Sequence, residues 1–297
     1  MQLSDYVNCG ISILRNSSFN FLSKLGDSEP VNSLSFLEHK NFIDMYQENK
    51  NSFSAIITTS ELLPLFKTEE IGIAICEHPK EAFIKIHNLQ KEPEIYYTST
   101  SVGCHCNISE LSMISPLGVK IGDNVIIEEY VKIFPGVIIG SNTVIRRGSI
   151  IGCEDYERCM DSNNKYVKSK HIGILSIGEN VQIDENVSID RPLFNWDYTK
   201  ISSDSFVGRN ACIAHGSKIG HRSIISPNSF ICGNTVIGDD VKIGVGAIIS
   251  SRITIGNNAI VSLGSVVNKD VVEGQKVTGN LAISHEKHIA HIKSISL

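Results

Sequence analysis

From Ile201 to Val267 an aliphatic residue falls at every sixth position: Ile201, Val207, Ile213, Ile219, Ile225, Ile231, Ile237, Ile243, Ile249, Ile255, Val261 and Val267. A strand repeats with period 2 and a helix with period 3.6, so neither alone produces this spacing. A short fixed repeat marks a solenoid, in which each unit buries its apolar face only by stacking on its neighbours. The chain therefore reads as a coil of short parallel strands.

The same register occurs upstream at Ile121, Ile127, Ile133, Ile139, Ile145 and Ile151, and again at Ile177, Ile183 and Ile189. Four residues after each downstream aliphatic the side chain is mostly small, as at Ser205, Ala211, Ser217, Ser223, Ser229 and Thr235. Large inward aliphatics alternating with small residues suit a narrow, close-packed interior. Glycine often follows the aliphatic, as at Gly122, Gly140, Gly178, Gly220 and Gly238, and is expected at corners where the backbone takes φ > 0. The pattern resembles the hexapeptide-repeat family, which implies a left-handed parallel β-helix with three flat faces and about 18 residues per coil. The left hand comes from the resemblance alone, because the general rule for parallel crossovers gives a right-handed connection.

A chain of 297 residues, 41% apolar and 20% charged, has room for two domains and a sizeable core. Its net charge of -5 argues against nucleic acid as the main partner. No apolar run reaches the length of a membrane span, and the first residues, MQLSDYVNCGISILRNSS, lack the basic start of a signal peptide. Eight cysteines are too sparse for a disulfide scaffold, so the expected location is cytoplasmic. Cys104, His105 and Cys106 lack the second ligand pair of a zinc site, and no metal is expected.

Residues 1–100 lack the repeat and mix short apolar runs with helix-like stretches, which predicts a small α/β domain. The coil is expected over 101–275, after a linker KEPEIYYTSTS, with a short helical tail over 276–297. Two stretches break the beat, CEDYERCMDSNNKYVKSKHIG after Ile151 and RPLFNWDYTK after Ile189. Loops leaving a rigid scaffold often hold substrate. Trp196, in the second loop, reads either as a wall of the substrate site or as a hydrophobic plug, and His171, in the first, as a substrate contact.

A β-helix has no natural pocket, so chemistry belongs on its outer faces. His215, two residues after inward Ile213, stands out there. With about 18 residues per coil, Gly233 stacks on it at the strand spacing of about 4.8 Å. A histidine beside a glycine supplies a general base and an unobstructed N–H for a tetrahedral oxyanion, the minimum for acyl transfer. The other reading is a surface histidine filling a polar slot.

The segments VSIDR (Val187 to Arg191), CIAHGSKIG (Cys212 to Gly220) and the N-terminal LSFLEHKNF resemble the UDP-3-O-(3-hydroxyacyl)glucosamine N-acyltransferases of lipid A biosynthesis. The resemblance implies His215 as catalytic base and Gly233 as oxyanion donor. It also implies Phe36 as an aromatic stacking on uracil, and Asp190 and Arg191 near the acceptor. His39 and Phe42 fall where that family has asparagine and tyrosine, Arg252 where it has a second histidine, and its longer C-terminal extension is cut short.

These features together predict an N-acyltransferase acting on a dTDP- or UDP-linked deoxyamino sugar, with acyl-coenzyme A as co-substrate in preference to acyl carrier protein. No permanently bound cofactor is expected, and the resemblance implies a homotrimer. Three alternatives stand beside it: the lipid A enzyme using acyl carrier protein, a zinc enzyme resembling the γ-class carbonic anhydrases, and a solenoid serving only for oligomerisation.

Overall fold

The six-residue beat closes into three parallel sheets of nine, eight and eight strands, each strand two to four residues long. Successive coils pair in register, Ile225 with Ile243, Ile231 with Ile249 and Ile237 with Ile255. The result is a left-handed parallel β-helix. Every aliphatic of the downstream run is buried, and these side chains form one continuous core with those of the upstream run.

The computed structural model describes residues 1–27, 29–66, 68–279 and 284–295. The chain divides into two units. The coil unit comprises Ile95–Cys153, Leu175–Arg191 and Tyr198–Leu297. The other comprises Met1–Glu94 with Glu154–Ile174 and Pro192–Asp197, so both breaks in the repeat belong to the N-terminal unit. The coil keeps its register past them: hydrogen bonds that elsewhere join residues 18 apart join residues 38 apart across the first break and 24 apart across the second.

The small residues are buried as the narrow interior requires, and their hydroxyls donate to backbone carbonyls of the next coil. Ser205 Oγ donates to Gly220 O at 2.8 Å, Ser223 Oγ to Gly238 O at 2.8 Å and Thr235 Oγ1 to Ser250 O at 3.0 Å. A polar atom in a coil interior is thereby paired rather than stranded.

Gly152, after Ile151, takes φ +82 as expected, but the other glycines that follow an aliphatic depart from expectation. Positive φ does not fall on Gly122, Gly140, Gly178, Gly220 or Gly238, but two residues later, on Asn124, Asn142, Asn180, Arg222 and Asp240. Asparagine and aspartate tolerate the left-handed region because their short side chains bond locally. The glycines are needed for close approach instead. A Cβ on Gly220 would lie 2.4 Å from the carbonyl carbon of Gly238, and one on Gly140 would lie 2.5 Å from that of Gly178. The expected linker also differs, since Tyr96 is buried in the coil unit against Gly136, where a Cβ would meet its ring at 2.6 Å.

The N-terminal unit is α/β. Strands β1 (Ser12–Arg15), β2 (Phe21–Leu22), β3 (Ser33–Leu37), β4 (Phe53–Thr58) and β5 (Gly72–Ile75) form one sheet in the order β1-β5-β4-β3-β2. All neighbours are parallel except β1 with β5. Helices α1 (Ile43–Asn49) and α2 (Pro79–Asn88) accompany it. Pro79 opens α2, where a missing N–H costs nothing. The first break contributes a hairpin, Arg158–Met160 with Tyr166–Lys168, and Phe194 of the second joins the core.

The tail holds helix α3 (His285–Ile295), and residues 280–283 and 296–297 of that predicted segment lie outside the described residues. No helix among the described residues is long and apolar enough to cross a membrane.

Because Gly220 is held by contact with backbone rather than by its own dihedrals, Gly220→Ala should destabilise the coil by about 1–3 kcal/mol, the usual cost of overpacking. Chemical or thermal denaturation measures it.

Candidate functional site

His215 occupies the turn between the strands Cys212–Ile213 and Lys218–Ile219, half-exposed. Its neighbour Gly216 takes φ +69 and donates its N–H to Thr199 Oγ1 at 2.9 Å. The carbonyl of His215 accepts the Asn234 N–H at 2.8 Å, which ties this turn to the next coil.

The pairing of Ile213 with Ile231 brings Gly233 onto His215, two residues beyond each isoleucine. A Cβ at Gly233 would lie 2.7 Å from His215 Cε1 and 2.8 Å from Nε2. The imidazole thus lies directly against the glycine backbone, in space a side chain would fill.

The equivalent N–H is capped by a side chain one coil on in some turns only. His221 N–H donates to Asp239 Oδ1 at 2.7 Å, Asp239 N–H to Asn257 Oδ1 at 2.9 Å and Glu179 N–H to Ser203 Oγ at 3.0 Å. The Gly233 N–H, like those of Arg209, Val245 and Leu263, has no such partner among the described residues. A base and a backbone donor therefore share one turn, with no side chain between them. That combination can deprotonate a nucleophile and stabilise a developing oxyanion.

Asp190 and Arg191 follow Ile189, which pairs with Ile213, so they hold the corresponding turn one coil before His215. Both are buried. Arg191 Nη1 donates to Pro135 O at 2.8 Å and to Tyr96 Oη at 3.4 Å, with its guanidinium 5.6 Å from the Tyr96 ring centre. Cys153 donates its S–H to Asp190 Oδ1 at 2.9 Å. Burial, reinforced by the Asp190 charge, pushes the Cys153 thiol up to about 12. These contacts anchor the turn next to the histidine, and nothing in the residue types of the IDR motif disclosed the part taken by Cys153 and Tyr96.

The remaining predicted residues belong to the N-terminal unit. His39 is exposed at the end of β3 and caps a short 3-10 turn, its Nδ1 accepting the Asn41 N–H at 3.4 Å. Phe42 is exposed, and Phe36 is half-buried with its ring 5.0 Å from that of Phe83. A cleft of about 740 Å³ lies at the carboxyl ends of the parallel strands, lined by Glu38 and His39 after β3, Thr59 and Glu61 after β4, and Cys76 and Glu77 after β5. That end of an open parallel sheet is where ligands bind, because the strand-leaving loops diverge there. His171 is buried within this unit. Trp196 stacks on Phe194 at 5.5 Å and donates its indole N–H to Leu22 O at 2.8 Å. Among the described residues no three His, Cys, Asp or Glu side chains gather as a metal site would require.

Comparison with known proteins agrees with the repeat. Residues 118–153 match the family described as bacterial transferase hexapeptide (six repeats). The UDP-3-O-acylglucosamine N-acyltransferase of Helicobacter pylori (strain ATCC 700392 / 26695) is 26% identical over 250 residues, covering 75% of this chain and 72% of its own. The protein of that name from Coxiella burnetii (strain RSA 493 / Nine Mile phase I) is 26% identical over 188 residues, so the chain spans about half its length, 52%. Among solved structures, a UDP-N-acetylglucosamine acyltransferase from Bacteroides fragilis 9343 is 23% identical with a TM-score of 0.51, over 59% of this chain and 64% of its own, and shares the coil fold. The chain thus resembles the hexapeptide-repeat acyltransferases in repeat, sequence and fold.

Two outcomes follow from the geometry. Gly233→Ala should keep the coil but displace the His215 ring, lowering turnover by about tenfold or more, within the range a positioned general base supplies. Thiol labelling of the native protein at pH 8 should modify exposed Cys104 and spare Cys153, whose thiol is still protonated there. Mass spectrometry of the labelled protein identifies which cysteine has reacted.

Proposed function

We propose that this acyltransferase forms an amide, moving an acyl or 3-hydroxyacyl group from a thioester to the amino group of a nucleotide-linked amino sugar. His215 removes a proton from the attacking amine, and the Gly233 N–H stabilises the oxyanion of the tetrahedral intermediate. The thioester is already activated, so neither a metal nor a covalent enzyme intermediate is required. The observation that carries this reading is the imidazole of His215 lying directly against the Gly233 backbone, in space a side chain would fill.

Two acceptors were expected from sequence, a deoxyamino sugar for surface glycans and the acylated glucosamine of lipid A. The named relatives support the second better, since those from both Helicobacter and Coxiella are UDP-3-O-acylglucosamine N-acyltransferases. UDP-3-O-acylglucosamine is therefore the acceptor we put first. The donor is an acyl thioester of either coenzyme A or acyl carrier protein. The buried Asp190–Arg191 turn anchors the coil beside the base, and His39, which lines the sheet-end cleft, is the residue we assign to the nucleotide; Phe36 lines a separate, smaller cavity and Phe42 lines neither. A homotrimer is the assembly proposed with it, as flat coil faces close into rings.

The test pairs a substrate matrix with one variant. Purified protein is given UDP-3-O-acylglucosamine or a dTDP-linked deoxyamino sugar, each with acyl-coenzyme A or acyl carrier protein. His215→Ala should lower kcat by about 10²–10⁴-fold with the unfolding temperature retained. Near-full turnover of that variant would remove the histidine from the mechanism, and turnover only with the dTDP sugar would reverse the order of acceptors.

A further inference from the structure

A second, smaller cavity of about 160 Å³ lies wholly within the N-terminal unit, away from the sheet-end cleft in the residues that line it. Helix α2 supplies one wall through Lys80, Phe83, Ile84 and His87, which share a helix face at the i, i+3, i+4, i+7 spacing. The hairpin from the first break supplies another: Glu157 and Ser169 flank its two strands, and the Ser169 N–H closes on Glu157 O at 3.0 Å.

The charges do not balance. Glu157 lies 2.8 Å from Lys24 Nζ and 3.4 Å from Lys80 Nζ, so two ammonium groups share one carboxylate. Burial disfavours the Glu157 charge, but the paired lysines hold its carboxyl below the usual range. One positive charge is left over among the three. The sheet-end cleft has the opposite balance, with Glu38, Glu61 and Glu77 around Lys40 and Lys40 paired with Glu61 at 3.4 Å.

Two buried polar atoms lining the small cavity are also unpaired. Ser169 and His87 are each 1% exposed, and neither Ser169 Oγ nor His87 Nδ1 has a hydrogen-bond partner among the described residues. Buried polar groups are nearly always satisfied, so two around one cavity point to an absent ligand. The chemistry of His87 narrows what that is. Nε2 lies 2.8 Å from Lys170 O, and because a carbonyl only accepts, Nε2 carries the proton. Burial lowers the pKa of the ring, so Nδ1 presents a lone pair and asks for an O–H.

We infer that this cavity binds a phosphate group that retains a proton, with its charged oxygens on Lys24, Lys80 and Ser169 and its O–H on His87 Nδ1. A volume of about 160 Å³ takes the group itself and excludes a base or sugar. Sulfate matches in size and charge but lacks the O–H, and so do the diphosphate diesters of nucleotide sugars. The group has two possible sources, free inorganic phosphate or a phosphomonoester, for which Phe36 on the same cavity offers an apolar surface beside the mouth. The site stands independently of the reaction assigned to His215.

The full chain is titrated at fixed pH and ionic strength with inorganic phosphate, sulfate and uridine 5′-monophosphate, following unfolding temperature and binding heat. A ligand of the native state raises that temperature by mass action. Phosphate should bind and sulfate should not. Ser169→Ala removes an unpaired hydroxyl and should fold, and both it and Lys80→Ala should weaken phosphate by about tenfold or more, as expected for a charge-assisted contact. Uridine 5′-monophosphate whose effect, like that of phosphate, is lost in both variants identifies an ester as the ligand, and phosphate alone showing that loss identifies the free anion; each supports the site. Equal effects of phosphate and sulfate, or unchanged phosphate affinity in both variants, would overturn it, while acylation by the wild type would still stand.

Discussion

Close stacking of backbone on backbone governs this molecule. Coils in register approach so tightly that Gly220 has no room for a Cβ above Gly238, nor Gly140 above Gly178. Such contact is possible only if every coil repeats the same path, and the path repeats only if large aliphatics, small hydroxyls and left-handed asparagines recur in step. The aliphatic core and the hydroxyl-to-carbonyl bonds are consequences of that discipline as much as causes. The candidate active site uses the same tight approach, since the imidazole of His215 takes the space that a Cβ on Gly233 would fill.

Much of this was legible because a solenoid turns distance in sequence into distance in space. Counting from Ile213 to Ile231 is enough to set Gly233 on His215, and the structure makes that juxtaposition. Apart from Gly152, which is a corner, the glycines that follow an aliphatic were placed correctly and explained wrongly. Their spacing fits either a corner or a close approach, and only the dihedrals separate the two: the corner is Asn124, Asn142 or Asn180, three residues after each isoleucine. That second beat of asparagine and aspartate was present in the sequence and would have resolved the matter.

Outside the repeat the ruler fails. Lys24, Lys80 and Glu157 meet in space across 133 positions of chain between the first and last, with no periodicity to relate them. Trp196 and His171 looked like parts of loops projecting from the coil, yet both breaks fold into the α/β unit, where one is half-buried on Phe194 and the other fully buried. Tertiary packing of an irregular segment depends on partners distant in the chain, which residue types alone do not name. The same limit hid Cys153 and Tyr96 behind the Asp190–Arg191 turn.

The register past the two breaks carries a further meaning. Coils are joined 38 and 24 residues apart there, where elsewhere they are 18 apart, and the ladder continues regardless. A solenoid is stabilised by its nearest neighbours, so it frays from its ends and is most persistent where coils continue on both sides. His215 has three further strands of its own sheet beyond it and four before it. Local opening, which begins at the terminal coils, reaches this turn last, and the chain is free to elaborate long excursions on one flank of the histidine while the lattice that aims it stays closed.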